Sequence, residues 1–280
     1  MKTLLKNDDF SFLKKNCEPR EERVTIDFLV LWVGTRCSLR CRDCGNLIPY
    51  AKPERFDLDL VISDMIKMIK LCKINNLQIQ GGEPFLHPFL HKMLTAIDNF
   101  DIPKISISTN GTVNISEKTI LLIKNIKHRN FEIRVSSYKC VKDKQRDFFN
   151  RMKNNNIKCS TYNFKHNGFW VNQGSPDTGK NDNDIEVQRQ YFECAFNNCV
   201  TLANGELFRC GRGKLSLEIF GINRNAEDVL DIRNIHENQK GSSTIGLFLE
   251  NKKFKEYCRY CLGTKEKIPP AIQLDSGLIH

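Results

Sequence analysis

Between residues 24 and 165 short apolar runs alternate with longer amphipathic ones, and few folds accommodate that alternation: it requires parallel strands joined by crossover helices. Strands are expected at 24–33, 77–80, 104–108, 131–136 and 157–162, with helices at 58–72, 88–100, 116–127 and 141–154. Ser116 can cap the third helix, and Glu117 places negative charge in its first turn. The fold class is therefore α/β. With 280 residues, 40% of them apolar, the chain can bury a full core as one large domain or two small ones.

The pattern breaks at 168–184, where Gly, Pro, Asn and Asp crowd a stretch that fits neither the helical nor the strand period. Beyond it, 199–210 reads as two short strands about Asn204-Gly205, a dipeptide that tolerates the positive φ of a tight hairpin. Residues 244–257 have helical spacing, and 268–280 read as a loose tail. The expected organisation is an extension over 1–23, an α/β unit over 24–183, a smaller unit over 184–267 and the tail. The longest apolar run, 28–33, is six residues, against the ~20 that cross a bilayer. The opening MKTLLKNDDF lacks the apolar core of a secretory signal, so a cytoplasmic location is expected.

Twelve cysteines are many for a chain read as cytoplasmic, where thiols stay reduced, and metal binding explains them better than disulfides. Cys37, Cys41 and Cys44 form C-x3-C-x2-C directly after the first expected strand. Three thiolates in one short loop can wrap one face of a 4Fe-4S cubane and leave an iron open to a small molecule, whereas electron carriers use four cysteines per cluster. Zinc is the alternative, but it takes four ligands, and no His or fourth Cys lies close by in sequence. A second group, Cys194, Cys199, Cys210, Cys258 and Cys261, holds one cysteine more than a four-thiolate site uses, and such a site suits zinc as well as iron. Cys17, Cys72, Cys140 and Cys159 are scattered.

Three more segments stand at expected strand ends: Gly81-Gly82-Glu83-Pro84 after the second, Ser108-Thr109-Asn110-Gly111 after the third and Ser136-Ser137 after the fourth. Adjacent glycines let a main chain approach a ligand closely. In this order, behind the C-x3-C-x2-C loop, these segments resemble the radical S-adenosylmethionine (SAM) superfamily. The resemblance implies a partial (β/α)6 barrel over 24–166, although the apolar runs themselves number five, with the chemistry at the carboxyl ends of the strands. It implies a 4Fe-4S cluster on Cys37, Cys41 and Cys44. It also implies a SAM whose amino group is held by Gly81, Gly82, Glu83 and Pro84, and whose carboxylate and ribose are held by Ser108, Asn110 and Ser136. The chemistry implied is reductive cleavage of SAM to a 5′-deoxyadenosyl radical that takes hydrogen from a substrate, with electrons from a flavodoxin- or ferredoxin-type donor. One position departs: the residue before the third cysteine, usually aromatic in the family and packed near the adenine, is Asp43. The second cysteine group resembles the shortened auxiliary-cluster module called a twitch domain, a relative of SPASM. That implies a second 4Fe-4S cluster on Cys194, Cys210, Cys258 and Cys261 in a small C-terminal domain. Cys199 competes with Cys194, but lies closer to Gly205 than the family spacing allows.

Cys140 and Cys159, at or near the fourth and fifth strands, are candidate hydrogen donors to a substrate radical, or small buried hydrophobes. His166 is a candidate acid or base, or a solvated loop residue. The reading is a radical SAM enzyme with one auxiliary cluster, acting on a small polar molecule such as a sugar or nucleotide-sugar by oxidation or epimerisation. Electron counting favours oxidation, because the second cluster can take the electron that forming a carbonyl releases. Peptide modification is the rival within the class; the 23 residues before the first strand are too few for a leader-peptide-binding domain. An iron-sulfur or zinc protein that binds nucleic acid is the rival outside it. The net charge of +10 suggests that rival, but no aromatic-studded RNA motif accompanies it, and it leaves Gly81-Gly82-Glu83-Pro84 unexplained.

Overall fold

The computed structural model describes residues 23–126, 130–136, 138–162 and 168–274. Two strands, β1 (Val24–Ile26) and β2 (Leu29–Trp32), replace the single one expected at 24–33. The chain bends at Asp27, whose carboxylate accepts from Asn75 Nδ2 at 2.8 Å while its carbonyl accepts from Asn76 Nδ2 at 2.7 Å. β1 thereby leaves the main sheet and pairs with β3 (Cys72–Ile74). The helix between them, α1 (Leu58–Leu71), starts at Asp57, which accepts from the amides of Asp59 and Leu60, and buries Leu58, Val61, Ile62, Met65, Met68 and Ile69 at helical spacing.

Three βα steps and a further strand follow: β4 (Asn76–Gln80) and α2 (Leu90–Ile97), β5 (Lys104–Thr109) and α3 (Glu117–Asn125), β6 (Phe131–Ser136) and α4 (Lys142–Asn154), then β7 (Cys159–Tyr162). Ser116 caps α3 as expected, accepting from Thr119 N at 3.2 Å. β8 (Trp170–Val171) and α5 (Asp184–Glu193) lead to the hairpin of β9 (Val200–Ala203) and β10 (Glu206–Phe208), turned at Asn204 and Gly205 with φ of 51° and 82°. α6 (Gly213–Ile219), β11 (Val229–Asp231), α7 (Gln239–Glu250) and β12 (Lys267–Ile268) complete the chain. The helix expected at 244–257 starts earlier because Asn238 caps it through Gly241 N at 2.9 Å, and it stops at Glu250. A separate 3-10 turn, Glu256–Tyr260, then carries Cys258.

The main sheet has the order β11-β10-β9-β2-β4-β5-β6-β7 and is open, with β11 and β7 at its edges. Strands β2, β4, β5, β6 and β7 run parallel, and β9 pairs with β2 in parallel register as well. The sixth parallel strand that the resemblance implies thus comes from the hairpin, and the hairpin continues the barrel sheet instead of forming a sheet of its own. Asp64 of α1, 4% exposed, fixes the same junction through a bidentate pair with Arg233, both contacts 2.8 Å.

Register divides the sheet into two faces. Leu77, Ile79, Ile105, Ile107, Ile133 and Val135 are buried under the helices, whereas Gln78, Gln80, Ser106, Ser108, Glu132, Arg134 and Ser136 share the opposite face. Cys159 pairs with Ile133 and Ser160 with Arg134, so the Cys159 thiol belongs to the apolar face and packs on the core. That is the setting of the small-hydrophobe alternative. No helix among the described residues is long and apolar enough to cross a membrane.

Candidate functional site

At the carboxyl end of β2 the chain crosses Gly34 and enters the loop of Cys37, Cys41 and Cys44, turned by Cys44 N to Cys41 O at 3.1 Å and Leu47 N to Cys44 O at 2.8 Å. The glycines after β4 lie directly against it. Gly81 has φ of 134°, and a Cβ there would stand 2.2 Å from Gly34 O; one on Gly82 would stand 2.1 Å from Arg36 O. Gly82 N donates to Gly34 O at 3.0 Å and Glu83 N to Arg36 O at 2.7 Å. The close approach that the glycine pair permits is therefore to the backbone of the cysteine loop, where the sequence suggested a ligand.

Glu83 is 3% exposed, and its carboxylate accepts from Phe85 N at 3.2 Å, Thr109 Oγ1 at 2.8 Å and Asn110 N at 2.8 Å. Burial pushes its pKa up to about 7 against the pull of those donors. Three of its acceptor positions are spent inside the protein, so its first task is to join the segment after β4 to the segment after β5. Pro84 opens the 3-10 turn Pro84–Leu86 behind it. Asn110 completes the link, its Nδ2 donating to Ser38 Oγ at 3.0 Å and standing 3.6 Å from Cys37 Sγ. Gln145 of α4 then ties in the end of β6: its Nε2 donates to Asn110 O at 2.8 Å and Ser136 O at 2.6 Å. Ser108 and Ser136 are half-buried on the polar face.

The expected loose tail is, in its described part, a strap over this loop. Arg42 N donates to Ile272 O at 2.8 Å, Leu274 N to Arg40 O at 2.7 Å and Arg40 N to Gln273 Oε1 at 2.9 Å, while Gln273 Nε2 reaches Cys41 Sγ at 3.3 Å. Exposed Cys140, in the 3-10 turn Lys139–Val141, donates to Ala271 O at 3.4 Å beside the strap. Burial raises the Cys37 pKa to about 11 and that of Cys41 to about 12, and it raises that of Cys44 too. Binding a metal group here must therefore release the thiol protons.

The second group converges fully. Cys194 from the end of α5, Cys210 after β10, and Cys258 and Cys261 from the 3-10 turn and its end line one cavity, whose empty space, mouth included, is about 480 Å3. Cys199 is not among its lining residues. Arg209, Arg212, Lys255 and Tyr191 line the cavity as well, and Arg209 Nε, Arg212 Nε, Lys255 Nζ and the Tyr191 hydroxyl are buried with no hydrogen-bond partner. Four thiols ringed by cationic and hydroxyl groups, some of whose polar atoms lack partners, suit a group with several ligand sites and net negative charge. Burial pushes the Cys258 pKa up to about 12 and that of Cys210 well above its ordinary value.

His166 and Ser137 lie outside the described residues. Gln145, Gln273 and Arg212 carry no motif in the sequence; each acts across more than 30 residues, so only the fold brings it to the site.

No protein-family model matches the chain. The GTP 3′,8-cyclase of Chlorobaculum tepidum is 31% identical over 91 residues, 32% of this chain and 27% of that protein. The GTP 3′,8-cyclase of Campylobacter lari is 28% identical over 93 residues, 31% of this chain and 28% of that one. The chain thus covers little more than a quarter of the length of these curated relatives. The crystal structure of BtrN in complex with AdoMet and 2-DOIA aligns with a TM-score of 0.54 at 12% identity, covering 86% of this chain and 95% of that one, a likeness of fold. An open parallel sheet carries the C-x3-C-x2-C loop and Gly-Gly-Glu-Pro at successive strand ends, the arrangement on which the resemblance to the radical SAM superfamily rests.

Proposed function

We propose that the chain is a radical SAM enzyme with a 4Fe-4S cluster on Cys37, Cys41 and Cys44, a SAM site across the ends of β4, β5 and β6, and a second 4Fe-4S cluster of the twitch type on Cys194, Cys210, Cys258 and Cys261. One observation carries the reading: Glu83 and Asn110 bond the segments after β4 and β5 to each other and to the cysteine loop, so motifs far apart in sequence form one site. Among the described residues no three His, Cys, Asp or Glu side chains stand close enough to hold a single metal ion. A cluster core bridges wider gaps than the ~2.3 Å zinc-to-sulfur bond, so the iron-sulfur reading does not require the thiols to meet at a single ion.

The cluster and SAM, when bound, supply one-electron cleavage and hydrogen abstraction. The chain's part is to hold and shield them: Gly81 and Gly82 lock the loop, Gln273 donates to the Cys41 sulfur and the strap limits solvent over it. The polar face of Gln78, Gln80, Ser108, Glu132, Arg134 and Ser136 leads to that end of the sheet and supports a small polar substrate, of the sugar or nucleotide-sugar kind. Oxidation of a carbinol balances if the hydrogen atom goes to the SAM-derived radical, the remaining electron to the second cluster and the hydroxyl proton to solvent. A flavodoxin- or ferredoxin-type protein would deliver the priming electron. Epimerisation is the second reading, favoured by the exposed Cys140 thiol beside the first loop.

Anaerobically reconstituted protein, reduced with SAM present, is expected to release 5′-deoxyadenosine, and the triple Ala variant of Cys37, Cys41 and Cys44 to fall to background. Wild-type turnover by that variant would sink the assignment. Sugars, nucleotide-sugars, GTP and short peptides, screened for deuterium transfer into 5′-deoxyadenosine, identify the substrate. A product short of two hydrogens marks oxidation, whereas one solvent deuterium fixed at unchanged composition marks epimerisation.

A further inference from the structure

Arg212 stands between the two cysteine groups. It is 2% exposed, two residues beyond Cys210, at the entry of α6. One terminal nitrogen faces Gly45 O at 3.4 Å and the other faces Tyr260 O at 3.2 Å. Gly45 follows Cys44, and Tyr260 precedes Cys261, so a single guanidinium spans the main chain beside a ligand of each site. Its Nε has no partner, and among the described residues no carboxylate lies within 4.0 Å of it. The thiols of Cys261, Cys210 and Cys44 are the groups whose negative charge would act on it.

An arginine keeps its proton in any protein environment, and a buried cation without an anion is strongly disfavoured. Its surroundings offer negative charge only where thiolates carry a cluster, on either side. We propose that Arg212 is the counter-ion shared by both cysteine sites, a positioning residue that sets the reduction potentials of the two clusters together. The inference rests on the two-cluster reading. Reduction adds one negative charge to a cluster; a cation fixed between the sites stabilises the reduced form of each and so raises both potentials.

The test is a redox titration, followed by electron paramagnetic resonance, of the reconstituted full chain carrying Arg212→Gln or Arg212→Lys. With iron content retained, Arg212→Gln is expected to lower both midpoint potentials, and Arg212→Lys to return both most of the way. A shift confined to one cluster, or no shift, overturns the proposal. If Arg212→Gln assembles no iron, Arg212→Lys decides alone, because it keeps the charge while losing the two-ended contact. Full iron with both potentials near wild type supports the counter-ion, and iron loss equal to that of Gln assigns Arg212 a purely structural clamp and overturns it. Zinc in the second site of the wild-type protein would instead remove the two-cluster reading, and this inference with it.

Discussion

Around Cys37, Cys41 and Cys44 the polar groups find their partners within the protein: Glu83 takes three donors, Asn110 bridges to Ser38, and Gln273 divides its amide between Arg40, Ala271 and Cys41. Around Cys194, Cys210, Cys258 and Cys261, by contrast, Lys255 Nζ, Arg209 Nε, Arg212 Nε and the Tyr191 hydroxyl are buried without one. The first site is thus braced by its own hydrogen bonds. On the proposed reading the second would rely on an anionic occupant to compensate its cations, which would make that occupant part of the stability of the fold.

The largest effect that separates the two is expected from Gly82→Val. The branched side chain would collide with Arg36 O in the cysteine loop, so iron should fall from about eight to about four per chain and SAM cleavage should vanish, while the second site keeps its cluster. Iron analysis with electron paramagnetic resonance reads this out, and full iron with intact cleavage would show that the glycine pair does not brace the loop. A smaller effect is expected from Lys255→Met. Removing a buried ammonium that has no hydrogen-bond partner and stands 5.5 Å from the Phe248 ring should stabilise the iron-free protein by about 1–3 kcal/mol in urea unfolding and leave the loaded protein without that gain. Burial pulls the Lys255 pKa below its ordinary value, so the unfolded chain binds that proton more readily. The iron-free wild type should therefore gain stability as pH rises through the lowered value towards that of a free lysine, and the Met variant should lack this component. Equal stabilisation with and without iron would erase the contrast between the sites. The smallest effect, none on iron content, is expected for Cys199→Ser, against loss of the second cluster for Cys194→Ser; equal losses would restore Cys199 as a ligand.

What the sequence made legible is what short-range patterning can encode. The alternation of apolar and amphipathic runs located β4 to β7 and α1 to α4, Ser116 was readable as a cap, and Asn204-Gly205 as a turn. The cysteine spacings marked out both groups, and four of the five cysteines in the second line one cavity. The rest depends on pairings that periodicity does not carry. The bend at Asp27 is set by Asn75 and Asn76, nearly fifty residues on, and apolar runs such as 200–203 do not state which strand they will join. The glycine pair was legible as a place of close approach, but not what would approach it. Gln273 sat in a segment whose composition reads as a tail, and one glutamine contributes nothing to a periodic signal.

The strap also fixes an order of events during synthesis. The loop of Cys41 receives its last hydrogen bonds from Ile272, Gln273 and Leu274, which are translated more than 200 residues after it. β9 likewise reaches its place beside β2 only after every other parallel strand has been made. A nascent chain can therefore stack β4 to β7 as each emerges, yet it presents the first cysteine loop uncapped until the strap has been made. On the proposed reading, a cluster would enter that loop most readily before the strap docks, and the docked strap would then stand between it and solvent.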